Sequence, residues 1–301
     1  MEIKKILITK QGKKFYVKDL NQDVHTQFGF VKSEDLKKSN TLVKTNTDKE
    51  LHLIGPSFID LYKKIKRGAQ IIPLKDIGLI ISETGIGKES RILDAGAGSG
   101  ALACFIANIA KEVVTYEIRE DFAEIVESNI KFLGLKNIKL KRKDIYNEIE
   151  EKNIDVAILD LPEPWKALES CEKALNSGGF VVSYSPSVPQ MMDFTNEIKK
   201  SNNFVYLKSV EIIEREWEVE ERKVRPKSRG IGHSGFLSFA RKVGNYKDVV
   251  RNENIEPEQE VTITISSKPI TTGKDIWGTM KFKKSAEKLM REVDKDFNVG
   301  F

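Results

Sequence analysis

The stretch ILDAGAGSGAL, residues 92–102, decides the fold because it joins an apolar strand, a glycine-rich turn and an apolar helix. Glycine lets the backbone turn sharply and approach a ligand closely. The helix that follows offers unpaired backbone N–H groups, which attract an anionic group. The stretch therefore predicts a ligand site at the end of a strand.

Strand-like and helix-like segments alternate around this stretch. Apolar and β-branched runs predict strands at 91–96, 113–117, 138–144, 155–160, 180–185, 205–213 and 235–243. Helical stretches separate most of them, which is typical of a mostly parallel sheet with helices on both faces. No crossover helix fits before the last strand, so that strand should run antiparallel. The sequence thus predicts an α/β fold that binds ligands at the carboxyl ends of its strands.

Two further segments flank the predicted α/β region. Residues 1–55 alternate short apolar groups with polar ones, with a turn at Gln11 and Gly12, and predict a small antiparallel β domain. Residues 244–301 contain a strand pattern at 261–266 and a charged helix pattern at about 283–296, and predict an α+β appendage of unassigned role. We therefore predict three parts: a β domain at residues 1–55, a catalytic domain at 56–243 and an appendage at 244–301.

Composition excludes several classes of protein. The chain has 301 residues, of which 40% are apolar and 32% charged, as in folded globular proteins. No run approaches the roughly 18 apolar residues of a membrane helix, and the first residues lack the apolar block of a signal peptide. We expect a cytoplasmic protein. Two cysteines and three scattered histidines give no ligand-like spacing, so no metal is expected.

The basic residues are unevenly distributed. The net charge is +5, and residues 244–301 hold ten basic and ten acidic residues, so the excess lies in the first 243 residues. Two clusters stand out, and their members are Lys63, Lys64, Lys66, Arg67 and Lys75, then Arg222, Lys223, Arg225, Lys227 and Arg229. A solvated turn would explain the second cluster alone. Two clusters flanking one site favour contacts with the phosphates of RNA.

Acidic residues end the first three predicted strands of the sheet. Asp94 lies in the first, Glu117 closes the second, and Asp144 closes the third. Two kinds of ligand fit the glycine turn: a dinucleotide through its pyrophosphate, or S-adenosylmethionine through its carboxylate and its amino group, the latter beside Asp94. Glu117 could accept both ribose hydroxyls of either ligand. Asp144 could accept from an adenine amino group, although each acid alone could be a helix cap or a solvated strand end.

The fourth predicted strand ends at Asp160 and continues into Leu-Pro-Glu-Pro-Trp, ending at Trp165. Its two prolines stiffen the turn. A carboxylate there could accept from an exocyclic amine and balance the charge formed when a ring nitrogen is alkylated. Trp165 could contact a substrate or simply pack. An acid and an aromatic on this turn favour a methyltransferase over a dehydrogenase.

Four segments, 66–78, 92–102, 159–168 and 215–242, together resemble a known family. It comprises the S-adenosylmethionine-dependent tRNA (adenine-N1)-methyltransferases of archaea and bacteria, which modify the T-loop adenosine at tRNA position 58. The resemblance covers about residues 1–243. It implies a Rossmann-like class I methyltransferase domain with a small amino-terminal β domain, tRNA as the partner, and a homotetramer.

The resemblance also implies roles for individual residues. Contacts with S-adenosylmethionine are implied for Gln70, Ile71, Asp94, Gly96, Ala97, Gly98, Ser99, Gly100, Ala101, Leu102, Glu117, Phe122, Asp144 and Asp160. Asp160 would also be catalytic. RNA contacts are implied for Arg67, Lys75, Arg222, Arg225, Lys227, Arg229 and His233. One departure is that Pro73 and Leu74 stand where the family usually has Tyr-Pro, so an aromatic near the target base is missing.

The expected reaction is methyl transfer from S-adenosylmethionine to N1 of a T-loop adenine at position 58, with position 57 left open. One alternative is a methyltransferase that acts on an exocyclic adenine amine or on a small molecule. Another is a non-catalytic RNA-binding subunit, which would have no need of Asp94, Glu117 and Asp160.

Overall fold

The computed structural model describes residues 2–39, 41–68, 70–147, 149–228 and 232–244, all within one compact unit. The predicted strand at 261–266, the predicted helix at about 283–296 and Arg229 lie outside the described residues. None of the helices in the described ranges is long and apolar enough to cross a membrane.

The amino-terminal part is a β module. Its elements are β1 (Lys5–Ile8), β2 (Lys14–Val17), β3 (Val24–Thr26), β4 (Gly29–Val31), α1 (Ser33–Leu36), β5 (Thr41–Lys44) and β6 (Glu50–Ile54). Four strands form an antiparallel sheet in the order β2-β1-β6-β5, and β3 pairs with β4 in a separate hairpin. Alternate side chains, among them Leu7, Leu51 and Leu53, are buried together in its small core.

The larger part of the described chain contains a second, larger sheet and its helices. Its elements are α2 (Phe58–Tyr62), α3 (Leu74–Thr84), β7 (Arg91–Ala95), α4 (Ala101–Ala107), β8 (Glu112–Tyr116), α5 (Glu120–Leu133), β9 (Ile138–Lys141), β10 (Ile154–Leu159), a 3₁₀ turn (Pro164–Ala167), α6 (Leu168–Ala174), β11 (Leu175–Ser185), α7 (Val188–Lys200), β12 (Phe204–Val210), β13 (Trp217–Glu220), β14 (Lys223–Pro226) and β15 (Phe236–Lys242).

Seven of these strands form one sheet in the order β12-β15-β11-β10-β7-β8-β9. The neighbours from β11 to β9 pair parallel, whereas β15 pairs antiparallel with both β11 and β12. The prediction of a mostly parallel, Rossmann-like sheet with a reversed last strand is confirmed. The chain proceeds outward from β7 to β9 and then returns to β10 on the other side of β7. This reversal opens a crevice at the carboxyl ends of β7 and β10.

Both faces of the large sheet are covered by helices. Ile92 and Ile158 pack with α3 and α4 on one face, while the adjacent Leu93 and Leu159 pack with α6 and α7 on the other. Strands buried on both faces read as continuous apolar runs, which is why the sequence reveals them.

The structure differs from the sequence-based expectation in several local elements. Strands β9 and β12 end at Lys141 and Val210, before the predicted ends at 144 and 213, so Asp144 lies in the loop after β9. Helix α2 begins with a capping box between Ser57 and Asp60 and ends at Tyr62, whereas the apolar spacing of residues 58–65 predicts a helix to residue 65. The basic segment that follows β12 contains a two-stranded hairpin, β13 and β14, paired between Trp217 and Pro226 at its open end. A lone hairpin is a weak sequence signal because its pairing depends on a turn, here with Glu221 at a φ of 52°.

Candidate active site

The glycine-rich turn follows β7 and packs directly against the end of β10. Gly96 has a φ of 85°, a left-handed conformation that side chains other than glycine rarely adopt. A Cβ atom at this position would overlap the backbone carbonyl oxygen of Asp160. The backbone N–H of Asp160 donates to the carbonyl oxygen of Ala95 at 2.9 Å. The turn and the Asp160 strand end therefore have a fixed relative position.

A cleft of about 460 Å³ opens at the carboxyl ends of β7, β8, β9 and β10. Most of the residues predicted to contact the cofactor line it, namely Gln70, Ile71, Gly96, Ala97, Gly98, Ser99, Ala101, Leu102, Glu117, Phe122, Asp144 and Asp160. Asp94 and Gly100 are the two predicted residues that do not line it. Gly100 lies in the turn, whereas Asp94 lies in β7 behind the cleft wall and is 1% exposed.

Glu117 is fixed by two backbone hydrogen bonds at the end of β8. Its Oε2 accepts from the N–H of Gly98 at 2.8 Å, and its Oε1 accepts from the N–H of Arg119 at 3.0 Å. A carboxylate has about four acceptor positions, so these bonds leave capacity for a ligand in the cleft. The carboxylate therefore supports the glycine turn and also faces the ligand site.

Asp94 is a buried carboxyl group with one oxygen unsatisfied. Its Oδ2 accepts from the Thr115 hydroxyl at 2.5 Å, while Oδ1 has no hydrogen-bond partner among the described residues, as is also true of Ser99 Oγ. Burial raises the pKa of Asp94 to about 7, against the lowering effect of the Thr115 hydrogen bond. Two unpaired buried oxygens beside the turn are acceptors that a ligand's ammonium group would satisfy.

Asp160 lines the cleft, one residue beyond β10. Burial, with a smaller contribution from the charge of the neighbouring Asp94, raises the pKa of its carboxyl group to about 7. The following turn is held by the side-chain amide of Gln190, which donates to the Pro162 carbonyl at 3.0 Å. The sequence allows either packing or substrate contact for Trp165. In the structure its side chain packs against the core between the sheet and α6 and α7.

Asp144 and Phe122 occupy the outer side of the cleft, beyond β8 and β9. The Oδ1 of Asp144 accepts from the N–H of Tyr146 at 2.9 Å, which orders the loop after β9. The guanidinium of Arg119 lies 4.0 Å from the centre of the Phe122 ring. This side of the cleft combines a free carboxylate oxygen with aromatic and apolar surface, which suits a planar heterocycle.

Several residues that line the cleft were missed by sequence reasoning, and they are Ile72, Tyr116, Ile118, Arg119, Lys143, Ile145, Tyr146 and Leu161. One signal was present. Ile118 and Arg119 directly follow Glu117, and residues just after a parallel strand line the ligand crevice in this class of sheet. Ile118 is also 69% exposed, which is unusual for a large apolar side chain beside a buried strand.

Lys75 occupies a buried position, unlike the phosphate-binding cation expected from the sequence. Its side chain is 7% exposed and its Nζ lies 2.9 Å from Asp76 Oδ1. The same Nζ donates to the Ser234 hydroxyl at 2.6 Å, and Tyr184 donates to the Ser234 carbonyl at 2.5 Å. The contact with Ser234 connects α3 to the loop before β15. Asp76 supplies the counter-charge that a buried lysine requires. Lys75 is not presented to RNA.

The second basic cluster is partly neutralised by acids on the paired strand of the same hairpin. Arg225 pairs with Glu218 at 2.9 Å, and Lys227 pairs with Glu216. Arg222 and Lys223 are exposed at the tip. Arg229 lies outside the described residues. The basic residues that follow one another in the sequence therefore do not form a wholly unpaired positive surface in the folded hairpin.

His233 and Arg67 are both exposed, but their settings differ. The imidazole Nδ1 of His233 lies 2.6 Å from Glu211 Oε1, and Nε2 donates to the Pro186 carbonyl at 3.0 Å. The hydrogen bond to Glu211 raises the pKa of His233. Both ring nitrogens are thus occupied within the chain, whereas Arg67 has no ion-pair partner within the described ranges and remains available to an anion.

We expect Asp94→Asn to stabilise the fold near pH 8. The pKa of about 7 lies above the ordinary value of 3.8, so the folded state loses stability as pH rises between these values, and above 7 the full cost of the buried charge is present. An amide keeps an acceptor for Thr115 and removes that cost, with an upper bound of roughly 4 kcal/mol. The melting temperature of the variant should exceed that of the wild type near pH 8, and the difference should shrink near pH 5. Equal melting temperatures of the two proteins at both pH values would contradict a buried charge.

Comparison with known proteins places these features among RNA methyltransferases. Residues 61–283 match the family described as tRNA methyltransferase complex GCD14 subunit, so the match continues past residue 243, where the sequence resemblance had been expected to end. The tRNA (adenine(57)-N(1)/adenine(58)-N(1))-methyltransferase TrmI of Methanocaldococcus jannaschii is 33% identical over 267 residues, which cover 79% of this chain and 94% of that protein.

Two solved structures share the fold at 28% and 29% sequence identity. The tRNA (m1A58) methyltransferase TrmI of Aquifex aeolicus superposes with a TM-score of 0.69 at 29% identity, covering 80% of this chain and 97% of that one. A SAM-dependent O-methyltransferase of Thermotoga maritima superposes with a TM-score of 0.72 at 28% identity, covering 80% of this chain and 93% of that one.

Proposed function

The chain belongs to the family of tRNA methyltransferase complex GCD14 subunits, and from this premise we propose that it methylates N1 of the T-loop adenine at position 58 of tRNA. It is an enzyme of the tRNA (adenine-N1)-methyltransferase type. The observation that carries the proposal is the close packing of Gly96 against Asp160 at the end of β10. This packing brings the glycine turn, Glu117 and Asp160 to one cleft. The methyl donor and the reacting base would meet at this point.

The cleft fits S-adenosylmethionine by the chemistry of its donors and acceptors. The unsatisfied oxygens of Asp94 and Ser99 suit an ammonium group, the carboxylate of Glu117 suits the ribose hydroxyls, and Asp144 suits the adenine amino group. When bound, this cofactor supplies an electrophilic methyl group on a sulfonium. We propose that the residues predicted from the sequence hold it, with Asp94 contributing from behind the turn.

Asp160 has an electrostatic role in this proposal. Methylation at N1 converts a neutral adenine into a cation, so a carboxylate fixed beside the ring stabilises the charge as it develops. The raised pKa of Asp160 reflects the burial of its carboxyl group away from water. A positive charge arriving beside it lowers that pKa and favours the ionised form. No metal is required, because alignment and charge stabilisation suffice for direct transfer.

The target adenine must leave the folded T-loop, because N1 lies on its base-pairing edge. We propose that Arg67, Arg222 and other exposed cations hold the RNA backbone meanwhile. Lys75 is excluded from this role by its burial. Residues 1–55, 56–243 and 244–301 remain the proposed parts of the enzyme, with the chemistry in the middle one. A tRNA-modifying enzyme of this kind would work in the cytoplasm.

The acceptor is the point on which the similar proteins differ. One similar structure is described as an O-methyltransferase, whereas the other and the archaeal relative are described as adenine-N1 enzymes. The proposal is tested with labelled cofactor and two unmodified transcripts, one natural and one with guanine in place of the adenine at position 58. We expect label in the first and little in the second. Equal label in both would contradict position 58.

We also propose that the enzyme is a homotetramer. Trp217, Val219, Val224 and Pro226 share one face of the β13–β14 hairpin, and the first three are more than half exposed. An isolated two-stranded hairpin with an apolar face is marginally stable in water, so a second copy of the chain is the occupant that we infer for this face.

We expect Val219→Asp to dissociate the assembly. The change places a charge on the apolar face of the hairpin, where burial against a second chain would cost several kcal/mol. Light scattering should show a mass below that of four chains, while a matched change on the charged face of the same strand, Glu218→Asp, should leave the mass unaltered. A Val219→Asp variant that still has the mass of the wild-type assembly would show that the hairpin face lies outside any interface.

A further inference from the structure

A second concave surface lies between the amino-terminal β module and helix α5. It encloses about 1200 Å³ and has strand β2 on one side and the carboxyl end of α5 on the other. We call it the β2–α5 groove. None of the described residues that line it also lines the cofactor cleft. The groove is therefore a separate feature that the methyl transfer proposed above does not use.

The charges along the groove are almost all positive. Five lysines and one glutamate line it, and one of these lysines, Lys14, is paired with Asp60. The other four are Lys18, Lys64, Lys66 and Lys131, all of them exposed. None of the four has an ion-pair partner within the described ranges. Four exposed cations facing the single carboxylate of Glu2 make an anion the complementary occupant.

Aromatic rings lie among these lysines. Tyr16, His25 and Phe132 line the groove together with the lysines. The Nζ of Lys64 lies 4.2 Å from the centre of the Tyr16 ring, a cation–π contact. A groove that combines lysines for phosphates with flat rings for unpaired bases has the chemistry of a site for single-stranded nucleic acid. An acidic peptide would use the lysines but would leave the rings without a matching partner.

A rigid connection ties the groove to the glycine turn of the active site. Asn129, which is 1% exposed, accepts from the N–H of Lys66 at 2.8 Å and donates to the Lys66 carbonyl at 2.9 Å. The same amide donates to the Ser99 carbonyl at 2.8 Å. One buried side chain therefore joins a groove residue to a residue of the cofactor cleft, so a polymer held in the groove has a fixed position relative to the cleft.

We propose that the β2–α5 groove binds an unpaired segment of the tRNA substrate, with its lysines on phosphates and its rings against bases. This rests on the proposed function, because it takes tRNA as the substrate. Lys66 lines the groove, and Gln70 and Ile71, close to it in the sequence, line the cleft. The tRNA would thus place one unpaired segment in the groove while its target base, in another part of its fold, enters the cleft.

The test is a double variant, Lys18→Ala with Lys131→Ala, which removes one cation from each wall. Binding of unmodified tRNA is measured across a salt series. Two lost phosphate contacts should reduce the slope of log affinity against log salt by about 1.4 to 1.8. If the affinities converge near 1 M salt, this corresponds to roughly 25- to 60-fold weaker binding at about 0.1 M. Affinity for S-adenosylmethionine should be unchanged.

The matched control is Lys88→Ala with Lys152→Ala. Both lysines are exposed and precede β7 and β10, at the end of the sheet opposite the cleft. This control changes the net charge equally and should leave the salt slope within error of the wild type. Equal losses in both double variants would indicate a general charge effect, and an unchanged slope in the groove variant would remove tRNA from the groove. Either result overturns the inference.

Two further outcomes separate this inference from the proposed function. Wild-type protein that binds tRNA without methylating it would overturn the proposed function, and the groove would still be judged by the slope. Wild-type protein that methylates tRNA, with a groove variant indistinguishable from it, would overturn the groove alone. A groove variant with a changed assembly mass would identify the groove as an interface between copies of the chain and would also overturn the inference.

Discussion

Replacing Asp160 with asparagine is expected to lower the rate of methyl transfer by roughly 100-fold or more, the scale of losing one positioned electrostatic stabiliser. Asparagine has nearly the same shape and keeps an acceptor oxygen, so the change isolates the charge. Methylation at N1 creates a cation on the adenine, and an amide cannot balance it. The backbone hydrogen bond from Asp160 to Ala95 is unaffected by the side chain, so the fold should survive.

The measurement is single-turnover transfer with both substrates saturating, because Asp160 also borders the cofactor cleft and its loss could weaken binding. The matched control is Asp193→Asn, the same chemical change at an exposed position on α7. The control should react at the wild-type rate. If Asp160→Asn does so as well, Asp160 has no part in the chemistry and is a structural acid at a strand end.

Replacing Glu117 with alanine is expected to weaken S-adenosylmethionine binding by roughly 100-fold or more. Each hydrogen bond to a charged group is worth roughly 1.5 to 3 kcal/mol, and two ribose hydroxyls would lose their acceptor. The structure adds a second cause, because Glu117 also accepts from the backbone N–H groups of Gly98 and Arg119. The glycine turn would therefore be less well fixed in the variant.

A second variant separates these two causes. Glu117→Gln keeps a side-chain oxygen for the Gly98 N–H but loses the charge, so we expect it to bind the cofactor with an affinity between those of the wild type and the alanine variant. Calorimetry gives the affinities, and Glu124→Ala, at an exposed position on α5, is the control. Unchanged affinity in both Glu117 variants would place the ribose elsewhere in the cleft.

The sheet could be predicted from the sequence because its signals are local. Strands buried on both faces are continuous apolar runs, and Gly96 marks a close approach between the ligand turn and the end of β10. The same logic extends to the cleft, since Glu117, Asp144 and Asp160 each follow the end of a strand. Parallel strands bring such residues to the same edge of the sheet, so their proximity can be predicted without knowing the tertiary packing.

Other features depend on contacts between distant segments and gave no local signal. Lys75 belongs to a basic cluster in the sequence, but Ser234, which is 159 residues away, encloses it. The cations Arg225 and Lys227 have no neighbouring acid in the run, yet hairpin pairing places Glu218 and Glu216 opposite them. Charge runs in a sequence therefore indicate where cations are, and only the fold shows which of them are free.

We expect the methyl group on N1 of a T-loop adenine, and the identity of the methylated nucleoside is the sharpest test of this. Unmodified tRNA is incubated with the full chain and S-adenosylmethionine, then digested and analysed by mass spectrometry beside standards for each methyl isomer of adenosine. We expect 1-methyladenosine, mapped to position 58 in a T-loop fragment. N6-methyladenosine, a 2′-O-methyl nucleoside or unmethylated tRNA would contradict it.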